Sequence, residues 1–410
     1  MGLVAVDKLN SDEILSKDVR DINGRLLLAK GKTINTKHIR LLKIWGVPEV
    51  FILDSKKEAG PSYEKPSEKR QGIELGLRIM FQNIDTDHQA IAAVINAAID
   101  HRDRHDLLLE YKTPRLLSPD FRLDLYSAIQ TQIQFSKVEL PESDIIVSQY
   151  NQVIADPHAS ASDIADVVAK SPSLAALVLK VVNSAAFGRA SKIDTLSRAV
   201  ALLGTRELGM LAMGISIMRL FHNMPKSLID MHTFLKHGLA CGLLSRILAA
   251  QANMRETEQM FAAGLLHDIG RLVWYRYFPE QAKLSLEIAG KTGLPLYDIE
   301  RECLGVSHEQ IAAQLLRKWN VPDNLADCIV YHHRPSRCTN PNGPVIVHMA
   351  DLAVNALGLG HSGEHIIPRF ESGAWDQLKV SPNALTVAIG QTVQQVEIMG
   401  TLFFTEIQDD

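Results

Sequence analysis

An adjacent histidine and aspartate, His267 and Asp268, stand in the apolar stretch MFAAGLLHDIGRLVWYRYFP. An imidazole nitrogen and a carboxylate oxygen can bind one divalent metal ion together. Metal hydrolases use such an ion to generate hydroxide near neutral pH. Because a lone His-Asp pair is more often structural than catalytic, its interpretation depends on the polar residues that accompany it.

Two further residues of metal-ligand type lie in apolar helical segments on either side of the pair. His237 lies upstream in FLKHGLACGLLSRILA, and Asp351 lies downstream in VIVHMADLAV. An unpaired polar group is costly in such surroundings, so these side chains need partners. The order His237, His267, Asp268 and Asp351 resembles the metal-binding pattern of the HD phosphohydrolase superfamily. That resemblance implies a metal site, and a purely structural role of these residues is the alternative.

Three histidines between these residues offer ligands for a second metal. His308 lies in GVSHEQIAAQLLRKW, at the first turn of a helix that Ser307 and Gln310 are expected to cap, and His332 and His333 lie in CIVYHHRP. A structural alternative stays open for each of them. A buried histidine can bond a backbone carbonyl, and His333 can be an exposed helix-end residue that interacts with the dipole.

A cation follows the His-Asp pair on the same predicted helix. Arg271, in LLHDIGRLV, keeps its positive charge at all ordinary pH values and can bond a phosphate through two N–H groups. We therefore predict Arg271 as a phosphate-contact residue.

The segments that must position these residues are helical. From residue 73 onward, Leu, Ile, Val and Ala recur at spacings of three and four residues, which is typical of helices. Ser160 and Asp163 predict a capping box, and Pro172 predicts the first turn of the next helix. The segment TRELGMLAMGISIMRLF is apolar nearly all round, which indicates a helix buried at the centre of a bundle.

The first 54 residues have a different pattern, typical of short strands around one helix. Asn23-Gly24 lies between ILSKDVRDI and RLLLAKG and predicts a type I′ hairpin. Asn35 or Thr36 is the expected N-cap of the helix TKHIRLLKIWG, and the strand EVFIL follows. The predicted fold class is therefore mainly α, with a multi-helix bundle preceded by a small α/β module.

The composition along the chain predicts five segments. The run DSKKEAGPSYEKPSEKRQ mixes both charge signs with two prolines and almost no large apolar residues, so it reads as a linker. The predicted segments are an α/β module at 1–54, the linker at 55–72, a helical bridging segment at 73–135, the main helical domain at 136–340, and C-terminal helices at 341–410 that pack on that domain.

The order of these motifs resembles the HD-related output domain family, HDOD. The resemblance rests on DPHASASDIADVVAKSPSLAALVLKVVNSAAFG, KIDTLSRAVALLGTREL, AAGLLHDIGRLV and ERECLGVSHEQIAAQLLRKWNVPDNLADCIVYHHRP, followed by a helix with HMADLA. Asn183-Ser184 and Leu203-Gly204 match the family's NS and LG elements. The resemblance implies an HD-type helical bundle over residues 136–340 and a role in signalling. Asn183 is expected to have a structural role, since a buried asparagine commonly bridges helix ends.

The histidines and aspartates are also similar to the pattern of HD-GYP cyclic-di-GMP phosphodiesterases. The positions that match that family's metal ligands are His237, His267, Asp268, His308, His332, His333 and Asp351. This sequence differs from the HD-GYP family in its catalytic elements. The segment HHRPSRCTNPNGPV lacks the Gly-Tyr-Pro motif. Arg271 stands where those enzymes have a lysine, and Thr233 stands where they have a glutamate. The resemblance implies a divalent metal, Fe, Mn, Zn or Mg, but not the activity. The N-terminal module resembles a segment that precedes the catalytic domain in several such enzymes.

Composition excludes several classes of function. The chain has 43 Lys and Arg against 47 Asp and Glu, a net charge of −4, which argues against general nucleic-acid binding. Basic clusters at 65–70 and 102–105 are more typical of solvated linker or helix-end charges. Four cysteines without a CxxC pair fit a reducing cytoplasm. The apolar run at 208–218 is shorter than the roughly 20 residues of a membrane span, and no export signal is visible.

Two functions are consistent with this pattern. The leading hypothesis is a bacterial cytoplasmic signal-transduction protein that binds a signalling protein or a small regulator. The alternative is a metal-dependent phosphohydrolase acting on a nucleotide or cyclic dinucleotide. The retained ligands suit a relic metal site, a ligand sensor or catalysis.

Overall fold

The computed structural model shows a mainly α protein with a small N-terminal α/β module, so the predicted fold class is confirmed. The buried apolar residues form two hydrophobic cores. One core lies within the module and consists of residues in the range 6–52, and the other consists of residues in the range 73–396. The structure describes residues 2–6, 9–20, 26–44, 47, 49–53, 67–109, 145–155, 160–183, 193–219 and 228–408.

The described residues of the module form five short strands and one helix. Strand β5 pairs antiparallel with β1 and β2, and β3 pairs antiparallel with β4. The strands on both sides of the predicted hairpin turn are thus paired, while Asn23-Gly24 lies outside the described residues. The elements are β1 (Gly2–Ala5), β2 (Ile14–Leu15), β3 (Val19–Arg20), β4 (Leu26–Leu28), α1 (Thr36–Ile44) and β5 (Glu49–Leu53). Asn35 caps α1, since its Oδ1 accepts a 2.9 Å bond from the His38 amide.

The rest of the described chain is helical. The first helices are α2 (Glu68–Met80), α3 (Gln89–Arg104), α4 (Ile145–Ala155), α5 (Ala161–Ala169), α6 (Pro172–Asn183), α7 (Leu196–Leu203) and α8 (Thr205–Arg219). The next are α9 (Met231–Gln251), α10 (Thr257–Leu266), α11 (Ile269–Tyr277), α12 (Pro279–Thr292), α13 (Leu296–Ile299) and a π-helical turn (Glu300–Leu304). The last are α14 (His308–Lys318), α15 (Asp323–Val330), a 3₁₀ turn (Pro335–Arg337), α16 (Asn342–Leu357), α17 (Ser372–Asp376) and α18 (Pro382–Gln408).

The predicted linker at 55–72 extends too far toward the C-terminus. Ser67 caps α2, because its Oγ accepts a bond from the Arg70 amide, and the helix begins at Glu68. Residues 68–72 are therefore helical, and one face of α2 contributes Ile73 to the main core. Residues 55–66 of the predicted linker lie outside the described residues.

Local capping signals set the helix starts where the sequence predicts them. The Ser160 amide donates to Asp163 Oδ2 at 2.7 Å and completes the capping box of α5. Ser307 and Gln310 form the capping box of α14, which fixes His308 as its first residue. Pro172 opens α6, and Asn183 ends it.

Asn183 has the predicted structural role. Its Oδ1 accepts from the Ile193 amide at 2.7 Å, and its Nδ2 lies 2.6 Å from the Ile193 carbonyl and 2.8 Å from the Leu179 carbonyl. The side chain therefore fastens the end of α6 to the segment before α7. Ser184 lies outside the described residues.

Helix α9 lies at the centre of the bundle. It packs against α10, α16 and α18, and α8 packs on the other side of α10. Helix α8 is buried from 208 to 217, as its apolar composition predicts. The predicted bridging segment, main domain and C-terminal helices therefore contribute to one hydrophobic core.

Within the described residues, no single helix has both the length and the apolar character to cross a bilayer. Helices α7 and α8 meet those criteria only as a pair bent by 118°, on length and composition alone.

Candidate metal centre

Five places in the bundle bring the predicted ligands together. His237 lies on α9, His267 and Asp268 fill the break between α10 and α11, and Asp351 lies on α16. His308 opens α14, and the adjacent pair at 332–333 follows α15. All seven are buried, with at most 5 % of any residue exposed. The seven are His237, His267, Asp268, His308, His332, His333 and Asp351.

Four residues form what we call the first cluster: His237, Cys241, His267 and Asp351. Their ligand atoms all lie within 4.8 Å of one another. The Asp351 Oδ1 atom lies 3.1 Å from His237 Nε2 and 3.4 Å from His267 Nε2, and the two imidazole nitrogens are 3.3 Å apart. Cys241 Sγ lies 3.7 Å from His237 Nε2.

The second cluster consists of Asp268, His308, His332 and His333, again within 4.8 Å of one another. His308 Nε2 lies 3.3 Å from Asp268 Oδ1 and 3.5 Å from His332 Nε2. Asp268 joins the two clusters, because its other oxygen, Oδ2, lies 3.2 Å from His267 Nε2.

These separations fit metal coordination. Bonds of about 2.0–2.3 Å to one ion place neighbouring ligand atoms roughly 3.0–3.7 Å apart. Asp268 Oδ1 and both ring nitrogens of His333 are buried without a hydrogen-bond partner among the described residues, which is costly unless something else satisfies them. Each cluster could therefore hold a divalent ion.

The imidazoles are oriented by contacts on their far sides. His267 Nδ1 lies 2.7 Å from the Gly264 carbonyl, and His332 Nδ1 lies 2.7 Å from the Ile329 carbonyl. Because a carbonyl only accepts, each Nδ1 carries the hydrogen and each Nε2 faces its cluster. Such outer contacts orient histidine ligands in metal sites. A histidine that bonds a backbone carbonyl through Nδ1 can therefore still bind a metal ion through Nε2.

A buried carboxylate orients the third imidazole. Glu300, in the π-helical turn, places Oε2 2.5 Å from His308 Nδ1 and accepts a 2.9 Å bond from the His308 amide. A second carboxylate, Glu309, accepts from the His333 amide at 3.1 Å and from the Tyr297 hydroxyl at 3.0 Å. His333 is therefore buried rather than exposed at a helix end.

The electrostatics hold both aspartates charged and two of the imidazoles neutral. Burial raises the pKa of Asp268, but Arg271 and His267 outweigh it and hold that pKa well below its usual range. Burial is likewise outweighed for Asp351, whose pKa is well below its usual range because of His237 and His267. Burial lowers the pKa of His332 and of His333 well below the usual value. Charged carboxylates and neutral imidazoles are the forms that bind metal ions. For His267 burial lowers the pKa, but Asp268 and Asp351 outweigh it and raise that pKa to about 10, so this imidazole must release a proton to bind a metal ion.

Arg271 points into the protein. Its Nη1 donates to Ser362 Oγ at 2.8 Å and its Nη2 to Glu364 Oε2 at 3.0 Å. Its Nε lies 3.3 Å from Glu300 Oε1 and 3.5 Å from Asp268 Oδ1. The guanidinium is 2 % exposed and neutralises carboxylates of the centre, so its contact with a phosphate stays a prediction.

Gly270 allows the two halves of the second cluster to approach. A Cβ atom at this position would lie 2.0 Å from the His308 carbonyl oxygen. Only glycine lets α11, which follows Asp268, pack this closely on α14, which carries His308.

Several residues of the centre were not predicted from the sequence. Cys241 follows His237 by one helical turn and so shares its face of α9, a spacing that the sequence displays. Glu300 reaches the centre from the π-helical turn, Glu309 from the first turn of α14 and Glu364 from the segment after α16, and no local pattern distinguishes them from surface acids.

The chain was compared with known families and proteins. A model of the HDOD domain matches residues 140–335. An uncharacterized protein of Treponema pallidum (strain Nichols) is 25 % identical over 234 residues, which are 56 % of this chain and 45 % of that protein. The chain thus matches less than half the length of this relative.

Two solved structures are similar to this chain. A protein of Marinobacter aquaeolei VT8, provisionally named a signal transduction protein, superimposes with a TM-score of 0.50 at 22 % identity, covering 81 % of this chain and 68 % of that one. An HDOD domain protein of unknown function from Geobacter sulfurreducens gives a TM-score of 0.48 at 21 % identity, covering 60 % and 81 %. The family model thus assigns an HDOD domain to residues 140–335 of this chain.

Proposed function

We propose that this chain is a bacterial signalling protein that acts by binding a partner protein or a small regulator. In this proposal the two clusters hold divalent metal as a structural centre of the domain. The donor set of imidazoles, carboxylates and one thiol favours Zn or Fe over Mg and Mn, which prefer oxygen ligands.

The closure of the centre is the observation that carries this proposal. Each cluster offers four ligand atoms, and the contributing residues are buried. Structural metal sites are typically closed by four protein ligands, whereas catalytic sites keep a position for water or substrate. A cyclic dinucleotide would have to displace packed helices to reach these atoms.

The charge balance supports the same conclusion. Arg271 faces Asp268, Glu300 and Glu364 inside the protein, and Nη1 and Nη2 each donate to a protein oxygen. A phosphate in this position would compete with three carboxylates for one cation. Arg271 therefore neutralises buried carboxylates of the protein rather than the phosphate of a substrate.

One observation favours the alternative, a metal-dependent phosphohydrolase. Asp268 directs one oxygen toward each cluster, and two ions that share a carboxylate can stabilise the attacking and leaving oxygens of a phosphoryl transfer. Hydrolysis of a nucleotide or cyclic dinucleotide that depends on added metal and is abolished by Asp268→Asn would favour this function.

Metal content and stability, measured on the same samples, test the structural role. We expect stoichiometric transition metal in the purified full-length protein and a lower unfolding temperature after chelation, because an ion that binds only the folded state stabilises it. Asp268→Asn is expected to lose metal and stability together. Asp166→Asn, on an exposed face of α5, is the matched control and should retain both. Full stability without metal would overturn the structural role.

A further inference from the structure

A cleft of about 900 Å³ lies beside the metal centre. Its walls come from α3, α9, α12 and the segment 358–366 that follows α16. This volume is within the range of small-molecule sites, about 300–1,000 Å³. The lining residues that carry the argument are Arg102, Thr233, Lys236, Gly290, His361 and Glu364.

The cleft has a net positive lining. Lys236 is partly buried on α9, and its ammonium has no ion pair among the described residues. Arg102 donates to the carbonyls of Asn355 and Ala356 at the end of α16 and adds a second positive charge. The lining carboxylate, Glu364, is already engaged by Arg271 and by the Leu296 amide. The unbalanced charge therefore favours an anionic ligand.

An apolar wall accompanies these charges. Met80, Leu109 and Ile366 line the cleft, and Leu108 leaves 63 % of its surface exposed there. Gly290, on α12, leaves open space where a side chain would be. A ligand that carries both an anionic group and a flat apolar part would match this lining.

The cleft is connected to the metal centre by direct contacts. Asn355, in its wall, donates to Asp351 Oδ1 at 2.7 Å. Glu364 bonds Arg271, which lies beside Asp268. Lys236 directly precedes His237. Ligand binding in the cleft can therefore act on the ligands of the centre without entering it.

We infer that this cleft binds a phosphorylated small molecule of nucleotide size, with Lys236 facing the phosphate and the apolar wall facing the base. The inference rests on the proposed function and names the class of its small regulator. The role is binding, so it involves no bond making or breaking.

Calorimetric titration of the full-length protein tests this inference. The probes are AMP, ATP and inorganic phosphate, with a short single-stranded RNA as a fourth arm. We expect AMP or ATP to bind at least tenfold more tightly than inorganic phosphate, without turnover. No binding of either nucleotide, equal binding of phosphate alone, or binding of the RNA alone would overturn the inference.

Two variants locate the binding site by different physical means. Lys236→Glu reverses the charge, and Gly290→Leu fills open space in the cleft while raising helix propensity, so its fold is expected to persist. Each should weaken nucleotide binding at least tenfold. The matched controls are Lys283→Glu, exposed on α12, and Gly72→Leu, exposed on α2 with open space around it; both should bind as the wild type does.

These outcomes separate the two proposals. Wild-type binding by both Lys236→Glu and Gly290→Leu would overturn the cleft assignment, but it would leave the metal content and stability of the centre unchanged. Loss of the structural role would instead appear as full stability without metal, whatever the titrations show.

Discussion

Asn355 donates a 2.7 Å hydrogen bond from Nδ2 to Oδ1 of Asp351, one helical turn earlier on α16. The same oxygen faces His237 and His267 in the first cluster. Asn355 also lines the 900 Å³ cleft. One amide therefore fixes a ligand carboxylate and forms part of the wall of the neighbouring cleft.

Removing this amide should weaken metal binding. Asn355→Leu keeps a similar volume but leaves Asp351 without its orienting bond, so we expect about 10–100-fold weaker affinity. Competition with a chromophoric chelator measures it. Asn383→Leu, exposed on α18, is the matched control. Wild-type affinity in a folded Asn355→Leu protein would contradict the orienting role.

Arg271 should be essential for stability. Arg271→Leu leaves Asp268, Glu300 and Glu364 buried without their shared cation, which is expected to cost about 3–5 kcal/mol. Urea unfolding measures the change, and Arg276→Leu, exposed on the same helix, should differ little from the wild type. If Arg271→Leu is as stable as the wild type, the internal charge balance assigned to this residue is wrong.

Gly270 should tolerate no side chain. Gly270→Ala places a Cβ against the His308 carbonyl, so α11 and α14 must separate, and both metal content and unfolding temperature should fall. Gly290→Ala provides the control, because a Cβ there meets open space and alanine stabilises a helix by roughly 0.5–1 kcal/mol over glycine. Similar metal content and stability in the two variants would be inconsistent with this packing.

Buried His101 should make the protein less stable in acid. Burial and neighbouring positive charges lower its pKa to about 4. Between pH values of about 6.5 and 4, the unfolded state therefore binds a proton that the folded state does not, and stability falls as the pH drops. His101→Gln should reduce the proton uptake on unfolding by about one. Urea unfolding across this range measures it; unchanged pH dependence in His101→Gln would refute the assignment.

Local patterns predicted much of the fold. The helix starts at Ser160, Pro172 and Ser307 follow from capping chemistry that involves residues a few positions apart. The early part of α2 was assigned to the linker because Glu68, Lys69 and Arg70 are charged. Lys69 and Arg70 instead form ion pairs with Asp103 and Asp100 of α3, partners that lie about 30 residues away in the sequence.

The centre was harder to predict than the fold. Its histidines and aspartates could be recognised from the sequence, because their residue types and their order along the chain resemble a known metal-binding pattern. The positions of Glu300 and Glu364 depend on how loops fold back across α11, which no local period reveals. The inward orientation of Arg271 could not be predicted for the same reason. It depends on Glu300 and Glu364, whose positions the sequence does not reveal.

In the proposed function, the centre binds metal without turning over a substrate. The most direct test measures hydrolysis of cyclic-di-GMP and a panel of nucleotides by metal-loaded full-length protein, with metal stoichiometry determined in the same sample and Asp268→Asn as the background. We predict bound metal and no turnover above that background. Metal-dependent turnover that Asp268→Asn abolishes while the protein stays folded would contradict the claim.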